Sequence, residues 1–544
     1  MNEMYIAILG ILLLLAVFDL VVGVSNDAAN FLNSAVGCNA ARRSIILGVA
    51  AVGIMLGASL SGGMMEIARS GVFIPAQFSF HGVMILFLAV MLTDVILLDL
   101  FNTFGLPTST TVSLVFELLG AAVAVALFSM HERGASANLG DYINSSKSLT
   151  IISGIFCSVA VAFTCGCVVM WFSRLLFSFR YQKAYKYIGS LWCAASLTAI
   201  SYFAVFKGLK HSSVVTPEML AWLNSNISVV VLGTLLFWFI ISFILQYILR
   251  VNTLRVTVLA GTGALALAFA GNDLVNFIGV FMAAESSFHI AQAHVASGGA
   301  LESLRMGSLA DPVQANIWYL LAAGGVMVLA LIFSKKARTV TETEVKLARS
   351  SGVTKERFGS CLPARAAVRW TLNAARLVTR ITPGPVARFV GRRFEPLELT
   401  EDDGTAFDMV RASVNLTISA LLISLATSLK LPLSTTYVTF MVAMGSSLAD
   451  RAWGRDSAVY RITGVMVVIG GWFMTGLTAF LAAGITASVM MAGGMWGIAA
   501  MLLLAGGILV KSAWLHRRKS AEALPELNLD SPAVLRELGE INFI

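Results

Sequence analysis

Two short words in this 544-residue chain put acids where acids are costly: SNDAAN at residues 25–30 and GNDLVN at 271–276, each set in or against a long apolar run. An aspartate inside a membrane span costs a few kcal/mol. Asp27 and Asp273 should therefore face protein or water and be paired with a cation. Asn26, Asn30, Asn272 and Asn276 supply amide oxygens, and carboxylates with amide oxygens make a hard shell suited to Na⁺. Asn26 and Asn30 share one helical face if the backbone stays helical there. The alternative is a hydrogen-bond network that only ties helices together.

A second pair of words does different chemistry. LPTSTT at 106–111 and LPLSTT at 431–436 each sit between two closely spaced apolar segments. Proline breaks the preceding helical segment, and a Ser or Thr just after it is a favoured helix N-cap. Helices beginning at Ser109 and Ser434 would present free N–H groups, the hydroxyls of Thr110, Thr111, Thr435 and Thr436, and the positive end of a helix dipole. That makes an anion cradle, or in the plainer reading a pair of capped turns. No Lys or Arg lies well inside a predicted span. Two aspartates plus a phosphate of charge about −1 to −2 would bring roughly −3 to −4 into a low-dielectric site, so cations must accompany the anion. Na⁺ fits the oxygen-rich words, and protons could do part of the same work.

The elements holding these words are membrane helices. The chain is 57% apolar and 12% charged, with a mean hydropathy of +0.82, against about 25% charged residues in a soluble domain. Apolar stretches near the spanning length of about 20 residues fall at 4–24, 44–61, 82–101, 107–128, 150–173, 188–206, 228–248, 256–284, 315–334, 411–429, 433–449, 461–488 and 490–512. The expected fold is all-α, a polytopic membrane protein of about 12–13 segments. The net charge of +8 is local: residues 335–394 hold 14 Lys and Arg against 3 acids, or +11, leaving −3 elsewhere. This suits a cytoplasmic loop beside anionic lipid and not a nucleic-acid partner. The six cysteines read as small apolar fillers, and the N-terminus has no cleavable-signal pattern.

Basic loops at Arg42/Arg43, Arg174–Lys186, Arg250/Arg255, Arg451–Arg461 and 516–519 belong on the cytoplasmic side. Thirteen spans satisfy all of them, with the N-terminus outside and the C-terminus inside. SNDAAN and GNDLVN then run in opposite directions. Asp27 to Ser109 is 82 residues and Asp273 to Ser434 is 161, and the difference of 79 nearly equals the polar segment 335–410. Two words in the same order, with one insert accounting for the spacing, point to an inverted duplication, an architecture of secondary transporters with midplane sites. The expected layout is a first repeat at 1–210, a connecting span at 211–250, a second repeat at 251–334 and 411–512, a basic insert at 335–410 and a tail at 513–544.

At these four words the chain resembles the inorganic phosphate transporter (PiT) family, whose N-D-x-x-N and P-x-S-T-T motifs in two inverted halves match SNDAAN, PTSTT, GNDLVN and PLSTT. The resemblance covers roughly 1–210 and 250–490. It implies a carrier with re-entrant hairpins, usually dimeric, that couples phosphate uptake to Na⁺ or H⁺; some relatives move sulfate. Carried over position by position, the substrate and ion contacts would be Asp27, Asn30, Ser109, Thr110 and Thr111 with Asp273, Asn276, Ser434, Thr435 and Thr436, and Na⁺ would lie at Asn26, Asp27, Asn272 and Asp273. Val112 and Tyr437 stand where many members have His, and Gly279-Val280 stands for the usual G-P. The first departure removes a titrating group and favours Na⁺ over H⁺. The expectation is a Na⁺/phosphate symporter in the plasma (inner) membrane, homodimeric, with no other cofactor; an H⁺-coupled phosphate or sulfate permease of the same fold is the alternative.

Asp94, Asp99 and Glu117 flank the first S-T-T with no matching acids at the second, and read as structural or gating. Lys430 reads as snorkelling to the interface. The stretch 364–380 reads as an amphipathic helix on the cytoplasmic leaflet, with Arg365, Arg369, Arg376 and Arg380 on its polar side. An intramembrane aspartyl protease would place an aspartate in G-x-G-D, absent at both positions, and a passive channel gains nothing from two carboxylates beside its anion. The chain is expected not to be an enzyme.

Overall fold

The computed structural model describes residues 3–104, 108–133, 138–203, 216–311, 315–334, 382–395, 406–450 and 457–523, with scattered positions between 341 and 380. The helices in chain order are α1 (Glu3–Gly37), α2 (Arg43–Leu60), α3 (Phe80–Phe104), α4 (Thr110–Arg133), α5 (Ser145–Phe177), α6 (Tyr181–Ile200), α7 (Pro217–Ser225), α8 (Ile227–Phe243), α9 (Thr253–Ala296), α10 (Ile317–Phe333), α11 (Gly384–Arg393), α12 (Met409–Ser428), α13 (Thr435–Ala449) and α14 (Ser457–Ala523). The described residues carry no β-strand, only two isolated bridges. All-α polytopic architecture follows: among the described residues nine helices are long and apolar enough to cross a membrane.

Each of the thirteen apolar stretches falls on a helix in its described part, and twelve helices carry them. The runs 461–488 and 490–512 fall on α14, which breaks at Gly494, where φ is +52°. That is a left-handed turn glycine accepts readily. The aspartate words do not interrupt their spans. SNDAAN lies inside the 35-residue α1 and GNDLVN inside the 44-residue α9, because each polar side chain finds a partner without breaking the backbone ladder. The amphipathic stretch 364–380 and most of the insert and tail lie outside the described residues, although Phe394 and Phe407 at the insert's far end are buried.

Two hairpins organise the core, α3–α4 and α12–α13. Each sends its second arm to a helix on the other side of the sequence: α4 packs chiefly on α14, and α13 chiefly on α5. The contacts are backbone to backbone. A Cβ on Gly120 would run into the carbonyl oxygen of Phe480, and one on Gly445 into that of Phe163. Both glycines stand thirteen residues after the proline of their S-T-T word. Small residues permit this approach, the ordinary means of holding membrane helices together where lipid offers no hydrophobic drive. The α5–α13 pair is also closed by a buried ion network, in which Arg174 donates to Asp408 at 2.6 Å and to Asp450 at 2.9 Å. Lys430 donates to Glu66 at 2.8 Å, so it is held by an acid and does not simply snorkel.

Candidate functional site

Each second arm starts at its S-T-T word as expected. Val112 N–H donates to Ser109 Oγ at 3.3 Å and Tyr437 N–H to Ser434 Oγ at 3.2 Å. Both serines are N-caps, satisfying one orphan donor of their helices. The two capped ends meet the two aspartate words, and all of Asp27, Asn30, Ser109, Thr110, Thr111, Asp273, Asn276, Ser434, Thr435 and Thr436 are buried.

The bonds are reciprocal and crossed. Thr436 Oγ1 donates to Asp27 Oδ1 at 3.1 Å and accepts from Asn30 Nδ2 at 3.0 Å. Thr111 Oγ1 donates to Asp273 Oδ1 at 3.1 Å and accepts from Asn276 Nδ2 at 3.0 Å. The last Thr of each word thus serves the aspartate of the other word. The middle Thr stays within its own half: Thr110 Oγ1 lies 3.5 Å from Asp27 Oδ2, and Thr435 Oγ1 lies 2.5 Å from Asp273 Oδ2. Four groups distant in sequence are gathered at one dry centre, and the hydroxyls and amides are its donors.

The flanking asparagines differ. Asn272 Nδ2 donates to Asp273 at 2.7 Å and to the Leu433 carbonyl at 2.6 Å, and its Oδ1 accepts from Thr427 at 3.4 Å. Asn26 is only half-buried and donates to Asp27 at 3.0 Å. Asn30 and Asn276, which reach the opposite hairpin tip, are nearer the centre than Asn26. Sequence reasoning missed Thr439, whose hydroxyl lies 3.3 Å from Asn30 Oδ1; one turn after Thr435, it was findable from helical spacing. Tyr437 was noted only as a departure from His, but it stacks on Trp472 with centroids 3.5 Å apart and backs the second tip.

Among the described residues, one amide oxygen at this centre is left over. Asn276 Oδ1 is buried without a donor, while its amide nitrogen is bound by Thr110, Thr111 and Asp273. A buried carbonyl oxygen without a donor costs about 1–3 kcal/mol. Together with the Asp273 carboxylate it is suited to a small hard cation.

A model of the Phosphate transporter family matches residues 23–367. Among solved structures, one described as "The sodium-dependent phosphate transporter" has a similar fold, with a TM-score of 0.58 and 16% identity over 89% of this chain and 99% of that one. No curated protein matches the chain. Because the family match spans more than half of the sequence and takes in both N-D-x-x-N words and the first S-T-T, this multi-pass membrane protein belongs to the phosphate transporter family, a family of transporters and not of enzymes.

Proposed function

We propose that this phosphate transporter is a Na⁺ symporter working by alternating access, with Asp27 and Asp273 holding Na⁺ and the two S-T-T tips cradling phosphate. The observation that carries this reading is Asn276 Oδ1, an acceptor without a donor beside a buried carboxylate. Asn26 and Asn272 complete the cation shells in this reading. The serine-capped starts of α4 and α13 turn N–H groups and positive helix ends toward the anion. Charge arithmetic asks for more than one Na⁺ per phosphate, since the aspartates and the anion together bring roughly −3 to −4.

The crossed bonds and the matched Gly120 and Gly445 favour two inverted repeats, 1–210 and 251–334 with 411–512, joined through 211–250. The basic insert 335–410 and the tail 513–544 face the cytoplasm in this arrangement, and the N-terminus faces outward across the plasma (inner) membrane. A homodimer is the expected assembly.

Uptake of radiolabelled phosphate into proteoliposomes tests the reading. Accumulation against the phosphate gradient is expected only with an inward Na⁺ gradient, and with more than one Na⁺ per phosphate. Uptake indifferent to Na⁺ but following a proton gradient would remove the Na⁺ assignment. Strong competition by sulfate over arsenate would move the substrate from phosphate to sulfate.

A further inference from the structure

Behind the first aspartate word lies a second group of acids that the duplicated centre does not use. Asp19 on α1, Asp94 on α3 and Glu117 on α4 are fully buried. Asp19 and Asp94 face one another within hydrogen-bonding reach. Ser113 Oγ donates to Glu117 Oε1 at 2.7 Å and lies within reach of Asp94 as well. Glu117 is near enough for its charge to act on the pair, and its other oxygen, Oε2, has no partner among the described residues. With the Ser113 proton given to Glu117, both oxygens of Asp19 and both of Asp94 have no donor among the described residues. Two carboxylates at bonding distance are two acceptors, and they make no bond until one of them holds a proton.

Among the described residues, the charges acting on this group are chiefly its own members and Asp27, all of them acids. From α14, which packs on α3, the nearby polar group is the Thr486 hydroxyl, bonded to Thr93 at 3.3 Å. Three uncompensated carboxylates in a dry interior are not sustainable as anions. Something positive must be there.

At the matching positions the second half has no such group. Counted from the matching words, the positions of Asp19, Asp94 and Glu117 are occupied there by Leu265, Ser419 and Val442, all buried. Binding by a duplicated site therefore does not require these acids. Asp19 lies eight residues before Asp27 on one continuous helix, roughly 12 Å along its axis.

We propose that Asp19, Asp94 and Glu117 form a proton-binding chamber beside the first half-site, one proton shared between Asp19 and Asp94 and one on Glu117 Oε2, emptied and refilled during the transport cycle. The coupling to transport rests on the reading of the Asp27/Asp273 centre given above; the proton occupancy does not. No bond other than O–H changes: each proton leaves to water and returns from it.

Infrared difference spectroscopy of the full-length protein in lipid vesicles reads the chamber directly. At neutral pH the wild type should show protonated-carboxyl C=O absorption that falls when Na⁺ and inorganic phosphate are added together. Asp94→Asn and Glu117→Gln should each lose part of that band, and Asp19→Asn provides a third variant if either fails to fold. In proteoliposomes Asp94→Asn should still take up phosphate, with the wild-type dependence of uptake on pH lost. Absence of the band in the wild type at neutral pH would overturn the proposal. So would a band unmoved by Na⁺ and phosphate together with an unaltered pH profile in Asp94→Asn, since the proton would then be a fixture. A drop in Na⁺ transported per phosphate in Asp94→Asn would assign the chamber to Na⁺ instead. Because the wild-type band needs no transport, its presence or absence remains readable if uptake proves not to follow Na⁺.

Discussion

Asp27 and Asp273 are held by the same pattern of threonines, yet the asparagines around them are held differently. In the first half-site Asn30 Oδ1 accepts from Thr439, and Asn26 is half-buried. In the second, Asn272 is clamped by Leu433 and Thr427, and Asn276 Oδ1 has no donor. Thr439 stands seven residues after its S-T-T proline, and the matching position after Pro107 is Leu114. One hydroxyl therefore separates a saturated amide oxygen from an available one. The second half-site ties its Asn272 down by more bonds and offers an amide oxygen with no donor among the described residues; the first has a half-buried Asn26 and is backed by acids. In the proposed duplication the partners of the aspartates are kept while their surroundings diverge.

The heaviest blow to this pair of half-sites is loss of charge. Asp27→Asn and Asp273→Asn keep size but remove the group proposed to hold Na⁺. Breaking such a pairing at a buried site costs about 3 kcal/mol or more, roughly a hundredfold in affinity. Each variant should fall below about a hundredth of wild-type Na⁺-driven uptake while eluting as folded protein on size exclusion. Normal uptake by either would sink the mechanism, since a structural aspartate should tolerate its amide or gain from it.

Next in size are the glycines at the crossed helix contacts. Gly120→Ala and Gly445→Ala each press a methyl on a carbonyl oxygen of the facing helix, which cannot move aside as a side chain can. About 1–3 kcal/mol of destabilisation follows at either place, and thermal unfolding in detergent should show two similar losses. Gly506→Ala, with open space around it, should leave the transition where it is. A large loss at Gly120 with none at Gly445 would break the correspondence between the hairpins.

Thr111→Val and Thr436→Val remove one crossed hydroxyl each. Their net worth of about 1 kcal/mol corresponds to a roughly fivefold weaker Na⁺ dependence of uptake, equal in the two variants. The unequal asparagines sharpen the test. Leu114→Thr should give Asn276 Oδ1 a donor and weaken Na⁺ activation, while Thr439→Leu should free Asn30 Oδ1 and strengthen it. These effects should be a few-fold at most, read as the Na⁺ concentration for half-maximal uptake. Movement of both variants in the same direction would end the comparison.

Sequence alone carried the helical class, the four words and the serine caps, because each follows from local chemistry: apolar length, a proline, a hydroxyl in the next position. It put both aspartates on spans but could not say what reaches them there. Asp27 and Asp273 lie in unbroken helices because Thr436 and Thr111 reach them from 409 and 162 residues away. Which threonine serves which aspartate is a property of the packed hairpins, invisible to spacing. Asp19 escaped notice for the opposite reason: it is a single acid in an apolar stretch, and only its closeness to Asp94 gives it meaning.

The smallest expected effect lies in the region that the first half lacks altogether. The α3–α4 hairpin is reached from α2 without any basic insert, so the bulk of 335–410 should be dispensable for building its counterpart. Its far end is another matter. Ala406 N–H donates to the Gly37 carbonyl at 2.8 Å, and the Phe407 ring lies against Gly37 at the end of α1. Asp408 caps α12 and pairs with Arg174, and the buried Phe394 packs near Trp171 on α5. Replacing 340–380 by a short flexible linker should leave uptake within about twofold of wild type, because loop length changes closure entropy only slowly. Extending the deletion to 400 removes Phe394 and should lower stability by about 2 kcal/mol, the worth of one buried aromatic ring, without abolishing transport. Thermal unfolding and uptake measured on both deletions distinguish the outcomes. Loss of folded protein with the shorter deletion would mean that the basic segment is part of the core or of a dimer contact, and that the second half cannot assemble as the first half does.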